Sequence, residues 1–343
     1  MKILFLGETY RADAQTWIRG IEEVSGVEIK TKEIAGSASR IGRIKNALSF
    51  MLKLMFDREE FDISLAERAT SYGFFSLFVN SNLRVVAQQG ITDAFPEEGF
   101  TGKFKRWLQR RVYKNVDMVH AWGHVMTHAM LDTGASPSKI VIKPKGLNLE
   151  KFKFCPPSEK LENTAIVTRS LYPIYRHAEI LEAMQRLKAK GIDLKCNIIG
   201  DGELLEFLQK LANEKYLGDL ADFKGRIDNL ELPKYLYSSQ IYIAVPETEG
   251  VSASLFEAMA TGCFPIVTDL PANRPFIKDG FNGFLIPVGD VNALTSAIEK
   301  FLTNPEAYSN GILYNRQFIE KECDLNKNMD LFYSKYLKAL EEK

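Results

Sequence analysis

The sequence predicts an α/β protein of two domains, each a doubly wound parallel sheet. Three observations lead there. Short apolar runs rich in β-branched residues alternate with helix-length segments through both halves of the chain. At 343 residues the chain exceeds what one hydrophobic core usually fills, and 45 % hydrophobic content supplies two. Pro156-Pro157-Ser158 punctuates the middle, where a linker would fall.

In order, Ile3–Leu6, Val27–Ile29, Ile63–Ala66, Arg84–Ala87 and Met118–Ala121 read as strands, with Ile140–Lys143 another near the boundary. Ala14–Ser25 and Ile41–Phe56 read as helices between them. After the linker, Ala165–Thr168 is a strand, His177–Lys190 a helix and Lys195–Ile199 a strand. Residues 305–343 read as helical. Two such sheets facing across a cleft is the expected architecture.

Composition excludes several classes. Net charge is zero, with 44 basic and 44 acidic side chains, which argues against a nucleic-acid binder. The balance conceals an asymmetry: residues 1–150 carry 21 basic and 17 acidic side chains. Four scattered cysteines form no CxxC pair and suit a reducing cytoplasm. The opening MKILFLGETYR reads as a first strand and not a signal peptide, and no apolar run reaches the ~18–20 residues needed to cross a bilayer. His120, His124 and His128 recur every four residues, but no HExxH-type acid accompanies them, so ordinary histidines are expected and no metal. Gly200-Asp201-Gly202 starts like a nicotinamide-binding fingerprint and fails at Leu205, where the third glycine would stand.

The most informative stretch is ETEGVSASLFEAMATGCFPIV, residues 247–267. It follows a buried strand at 240–245 and reads as loop, helix, strand, with Ser252 or Ser254 as N-cap and Gly262 ending the helix. Such a loop lies at the carboxyl end of a strand, where open sheets bind ligands, and the helix behind it offers N–H groups to a phosphate. Glu249 in the loop and Glu257 one turn into the helix can each accept two hydrogen bonds from vicinal hydroxyls. Spacing alone would favour two solvated acids. The neighbours change that.

Glu249-Gly250-Val251-Ser252, Leu255-Phe256-Glu257-Ala258-Met259-Ala260, Gly262 and Pro265-Ile266-Val267 together resemble the signature of the retaining glycosyltransferases of family 4, glycosyl transferases group 1, which have the GT-B fold. Asp279 to Pro287 (DGFNGFLIP), Ile198 to Glu203 (IIGDGE), Phe223 to Ile227 (FKGRI) and the phrase from Lys145 to Phe152 agree in order and spacing over residues 140–300. The resemblance implies an acceptor-side Rossmann-like domain over 1–155 and a nucleotide-sugar-binding domain over 156–315. A C-terminal helix over 316–343 would cross back onto the first domain.

By the same resemblance, Glu257 would bind ribose hydroxyls and Glu249 a hydroxyl of the donor sugar, while backbone groups of Gly250, Val251 and Ser252 touch sugar and phosphate. Gly225, Arg226 and Ile227 would edge the base; uracil, guanine and adenine are equally compatible. Arg169 would meet the diphosphate with a bidentate guanidinium. Relatives place a lysine several residues later, where this chain has Tyr175-Arg176-His177; Arg176 is the nearby fixed cation, and the alignment also permits Tyr175 there. The first domain departs twice. Gly7-Glu8-Thr9-Tyr10-Arg11-Ala12-Asp13 replaces a double-glycine loop, and Gln89 stands where relatives often carry a histidine. Glutamine can hydrogen-bond the donor but cannot act as a base.

The expectation is a metal-independent, retaining transferase without cofactor. It would move a sugar from a UDP-, GDP- or ADP-linked donor to a hydroxyl of a lipid-linked or cell-surface glycan, such as a lipopolysaccharide or capsule intermediate. A sugar-nucleotide epimerase or hydrolase and an idle nucleotide-sugar-binding protein are the alternatives. Residues 101–116 (TGKFKRWLQRRVYKNV) and 40–56 (RIGRIKNALSFMLKLMF) are basic and amphipathic, which fits a cytoplasmic protein in peripheral contact with the inner face of an anionic membrane. Packing of the same apolar faces on the first sheet is the rival reading.

Overall fold

The computed structural model describes residues 1–88 and 99–343. The chain divides into two units: residues 1–146 with 325–343, and residues 147–324.

The first unit is a six-stranded parallel sheet of β1 (Ile3–Leu6), β2 (Ile29–Lys32), β3 (Phe61–Glu67), β4 (Ser81–Gln88), β5 (Met118–Ala121) and β6 (Ile140–Ile142), in the order β2-β1-β3-β4-β5-β6. Its helices among the described residues are α1 (Ala12–Ser25), α2 (Arg40–Phe56), α3 (Gly73–Ser76), α4 (Phe100–Asn115) and α5 (Thr127–Asp132). The second strand starts two residues later than the sequence suggests. Ile29 is its one fully buried side chain, and the register pairs it with Ile3.

The second unit repeats the plan with β7 (Thr164–Thr168), β8 (Lys195–Ile199), β9 (Ala221–Gly225), β10 (Ile241–Ala244), β11 (Phe264–Thr268) and β12 (Phe284–Ile286). Their order is β12-β11-β10-β7-β8-β9, all parallel. The helices are α6 (His177–Ala189), α7 (Leu205–Glu214), α8 (Leu232–Ser238), α9 (Ala253–Ala260), α10 (Val291–Thr303) and α11 (Ser309–Glu322). Side chains alternate between faces as pleating requires. Ala165, Val167, Ile241 and Ile243 enter one buried cluster, while Ile166, Tyr242 and Ala244 enter the other with α9.

The units exchange at 146/147 and at 324/325, where the sequence had suggested 155 and 315. Leu147 and Phe152 already pack in the second unit's core, and so do Ile319 and Cys323 of α11 and its cap. The last helix, α12 (Leu325–Glu341), belongs to the first unit. It lies along α1, where Gly20 leaves room for Met329. Tyr336 meets His120 at 2.6 Å. Around that contact Trp17, Trp122 and Phe332 close an aromatic cluster. Burial pushes the His120 imidazolium down to about 3, so the ring is neutral. The three histidines of the i, i+4 series therefore lie on a strand, a short 3-10 turn and α5, not on one helix face.

No helix among the described residues is long and apolar enough to cross a membrane.

Candidate active site

In the second sheet the chain runs from β7 outward to β9, then returns to the other side of β7 with β10. Strand order therefore reverses between β7 and β10. Loops leaving the carboxyl ends of two such strands diverge and open a crevice, the usual ligand site of doubly wound sheets. Arg169 follows β7 and Glu249 lies in the loop after β10, so residues 80 apart in sequence meet there. An Arg169 Nη2 proton goes to Glu249 Oε2, and the same nitrogen donates to Ser252 Oγ at 2.5 Å. Both charged side chains are about 15 % exposed, which shields the pair but leaves an approach from solvent.

Each partner is held from behind. Glu249 Oε1 accepts from the Gly250 amide at 3.1 Å. Ser252 is the N-cap of α9, its hydroxyl accepting from the Leu255 amide at 3.2 Å. The Arg169 guanidinium lies 5.6 Å over the Tyr175 ring, a cation–π contact. Behind it His177 is buried. Burial holds its pKa down to about 4 against an interaction with the Arg169 backbone that raises it, with the Arg169 charge lowering it further, so the ring is neutral.

The glycines of the Gly200-Asp201-Gly202 loop have a packing role. At φ 153° Gly200 passes against the Arg169 carbonyl, with no room for a Cβ. A Cβ on Gly202 would come 2.5 Å from the Leu171 carbonyl oxygen. The close approach allows the Leu171 amide to donate to Asp201 O at 2.9 Å, fixing the loop that carries Arg169.

Arg176 sits at φ 54°, a left-handed position that costs an ordinary residue energy. Its guanidinium pairs with Glu179 and with Glu247 at 2.6 Å. Tyr175 thus lies against Arg169, while Arg176 is neutralised by two carboxylates beside it. Glu257 is half-buried in α9, whose neighbours Leu255, Phe256, Ala258 and Met259 are fully buried. Lys151 is electrostatically coupled to Glu257 and Asp228; burial lowers the ammonium's pKa and the two carboxylates oppose it. Gly225 ends β9 at φ 65°, its carbonyl accepting from the Gly200 amide at 2.9 Å, with exposed Arg226 and partly buried Ile227 following. Gly250, Val251 and Ser252 lead into α9 as expected. Gln89 lies outside the described residues.

The sequence does not mark Lys151 as a neighbour of Glu257 or His177 as a neighbour of Arg169, and it offers Tyr175 only as an alternative to Arg176 at the lysine position. Lys151 arrives from a loop before β7, while Tyr175 and His177 lie on the connection from β7 into the start of α6 that also carries Arg169, and nothing in their spacing marks them. Among the described residues no group of three or more His, Cys, Asp or Glu is gathered to hold a metal ion.

The first unit has its own reversal, between β1 and β3. There Glu8, after β1, pairs with Arg68, after β3, at 2.8 Å. Arg68 also takes a left-handed φ of 61°. Burial raises the Glu8 carboxyl's pKa, and Arg68 and Arg11 together outweigh it, leaving it below the ordinary value. Nearby, the buried ammonium of Lys145 donates to Asp13 O at 3.0 Å and lies 5.3 Å from the Trp122 ring.

A reversal crevice bridged by arginine and glutamate, with a capped helix N-terminus behind it, coincides with a sequence profile described as glycosyl transferases group 1, which matches residues 150–318. The chain carries a glycosyl transferases group 1 domain. An uncharacterized glycosyltransferase of Haemophilus influenzae is 31 % identical over 152 residues, covering 43 % of this chain and 42 % of that protein. A UDP-Gal:α-D-GlcNAc-diphosphoundecaprenol α-1,3-galactosyltransferase of Escherichia coli is 28 % identical over 178 residues, covering 47 % and 45 %. The matched segments thus span about half the length of these curated relatives. Among solved structures, sucrose-phosphate synthase from Thermosynechococcus elongatus superposes with TM-score 0.80 at 14 % identity over the whole of both chains. Anabaena HepE in complex with UDP and glucose gives 0.76 at 13 %, covering 99 % of this chain and all of that one. At such identities the likeness concerns fold alone: the group 1 domain is the second half of a GT-B fold.

Proposed function

We propose that this protein transfers a sugar from a nucleoside diphosphate donor to a hydroxyl of a glycan or glycolipid acceptor, with retention at the anomeric carbon. The observation that carries the reading is the Arg169–Glu249–Ser252 cluster at the β7/β10 reversal. A diphosphate entering there competes with Glu249 for Arg169. It takes the guanidinium and the free amides at the start of α9, and Glu249 is released toward a hydroxyl of the donor sugar. Glu257, one turn along the helix, accepts from the ribose. As the sugar–phosphate bond breaks, negative charge grows on the leaving oxygen, where Arg169 and the helix terminus stabilise it. The acceptor proton passes to that oxygen, so no side-chain base is required. Neutral His177 supports Arg169 without adding charge.

The acceptor is assigned to the first unit's reversal, with Glu8 and Arg68 meeting its hydroxyls. HepE in its complex holds UDP, and the diphosphoundecaprenol-directed relative acts on a lipid-linked sugar. A UDP-sugar and a lipid-linked acceptor are therefore the first pair to test.

The test is incubation with UDP-, GDP- and ADP-sugars, with and without polyprenyl-diphosphate-sugar acceptors, following product by mass spectrometry. Acceptor-dependent glycoside supports the reading. Free sugar or an epimer formed equally without acceptor would replace it with a hydrolase or epimerase. Arg68→Gln should depress transfer while leaving nucleotide affinity intact.

A further inference from the structure

Among the described residues, nothing covers the outer face of α2 and α4 in the first unit. Crossovers between parallel strands are right-handed, so the connections from β2 to β3, β3 to β4 and β4 to β5 fall on one side of the sheet. Ring contacts confirm it. Phe50 of α2 packs edge-on to Phe75 of α3 at 5.4 Å, and Phe74 of α3 lies 6.3 Å from Trp107 of α4. Phe50 and Leu54 anchor α2, and Leu108 and Val112 anchor α4. Other apolar side chains of these helices point outward. Ile41, Ile44, Leu48 and Phe56 are all more than half exposed, as are Phe104 and Trp107, which stack at 5.9 Å, and Phe100 is 87 % exposed.

These two helices carry charge of one sign. Helix α2 brings Arg40, Arg43, Lys45 and Lys53; α4 brings Lys103, Lys105, Arg106, Arg110, Arg111 and Lys114; neither contains an acid. All ten except Lys105 are strongly exposed.

We propose that the α2/α4 face docks the protein on an anionic lipid surface, with the aliphatic and aromatic side chains at the acyl boundary and the cations among the headgroups. Charge decides the occupant. A second copy would set one all-cationic face against another, which repels. Nucleic acid would satisfy the cations but leave a run of exposed Ile, Leu and Phe facing phosphate and solvent. An anionic membrane satisfies both. Each cation brought within a Debye length strengthens binding about fivefold, and salt removes that gain. The inference rests on this face alone, so it stands or falls separately from the glycosyl-transfer reading.

Co-sedimentation of the full chain with phosphatidylcholine vesicles containing 30 % phosphatidylglycerol, in low salt, should pellet the protein. Pure phosphatidylcholine should not, and molar salt should release it. Arg43→Gln, Lys45→Gln, Arg110→Gln and Arg111→Gln together should weaken binding at least tenfold. Separately, Ile41→Ser with Leu48→Ser and Phe56→Ser should also weaken it, without the salt dependence changing. Unaltered melting temperature and nucleotide affinity show that both variants remain folded. Protein left in the supernatant with anionic vesicles at low salt overturns the proposal, as does equal binding to neutral vesicles. Self-association abolished by the serine variant, with no vesicle binding, would assign the face to a second copy instead.

Discussion

Arg169 and Glu249 touch each other, and in the proposed mechanism a donor parts them. Replacing Arg169 by alanine should therefore cost about 2–4 kcal/mol of transition-state stabilisation, comparable with losing a preorganised donor. The check is kcat/KM in the transfer assay; a change under threefold would remove Arg169 from the mechanism. Glu249→Ala should lower turnover and largely spare nucleotide affinity, whereas Glu257→Ala should weaken nucleotide binding, as calorimetry would report. The motif made both acids legible, since one loop and one helix turn set their placement. The opposing arginine and Tyr175 were legible only through resemblance, and His177 not at all. All three lie on the connection from β7 into α6, whose path a linear reading does not give, and the nearness of Arg169 to Glu249 depends on β7 and β10 being neighbours. A second prediction concerns the neutral imidazoles. His120 is held near pKa 3 and His177 near 4 by burial, below the ordinary value of 6.5. The unfolded chain thus binds more protons below pH 6.5, so the contribution is complete above that value and lost as pH falls. Each contributes a slope of up to about 1.4 kcal/mol per pH unit. Urea midpoints should drop between pH 6.5 and 5, before most carboxylates titrate, and a flat profile there would contradict neutral burial.

Among elements, α9 and the loops around it do most to position the site. Ser252 both caps α9 and receives an Arg169 proton, so Ser252→Ala should cost about 1 kcal/mol in stability and also loosen Arg169. Gly202→Ala would drive a Cβ against the Leu171 carbonyl and shift the Arg169 loop, reducing nucleotide affinity more than a surface substitution would; equal affinity would show the loop to be tolerant. The element pattern was readable because buried parallel strands are short apolar runs with marked ends. Where it slipped, at β2, only one residue of the strand is buried, so hydrophobicity could not set the register. The Asp279-Gly280-Phe281-Asn282-Gly283 segment was also legible, yet its work is structural. Asn282 Nδ2 donates to Asn315 Oδ1 at 2.6 Å, and Gly311 passes the Phe281 carbonyl, docking α11.

For the whole molecule, the chain's return is the feature that a linear reading places least well. Helix α12 completes the first unit by covering Trp17 and His120, so its boundary lies where Leu147 and Asp324 bridge, not at the Pro-Pro pair. Truncation after Asp324 should expose that aromatic cluster and leave the first unit unable to fold stably; an unchanged melting profile would contradict this. Activity should also persist in EDTA, since Arg169 and a helix terminus are assigned the diphosphate charge; loss restored by Mg²⁺ or Mn²⁺ would contradict that assignment. The central claim is that the β7/β10 reversal binds a nucleoside diphosphate through Arg169. Calorimetric titration of UDP, GDP and ADP into the wild-type protein and Arg169→Ala tests it most directly. At least one nucleotide should bind the wild type, and that affinity should fall tenfold or more in the variant. Binding by none of the three, or equal binding to both proteins, would contradict the account.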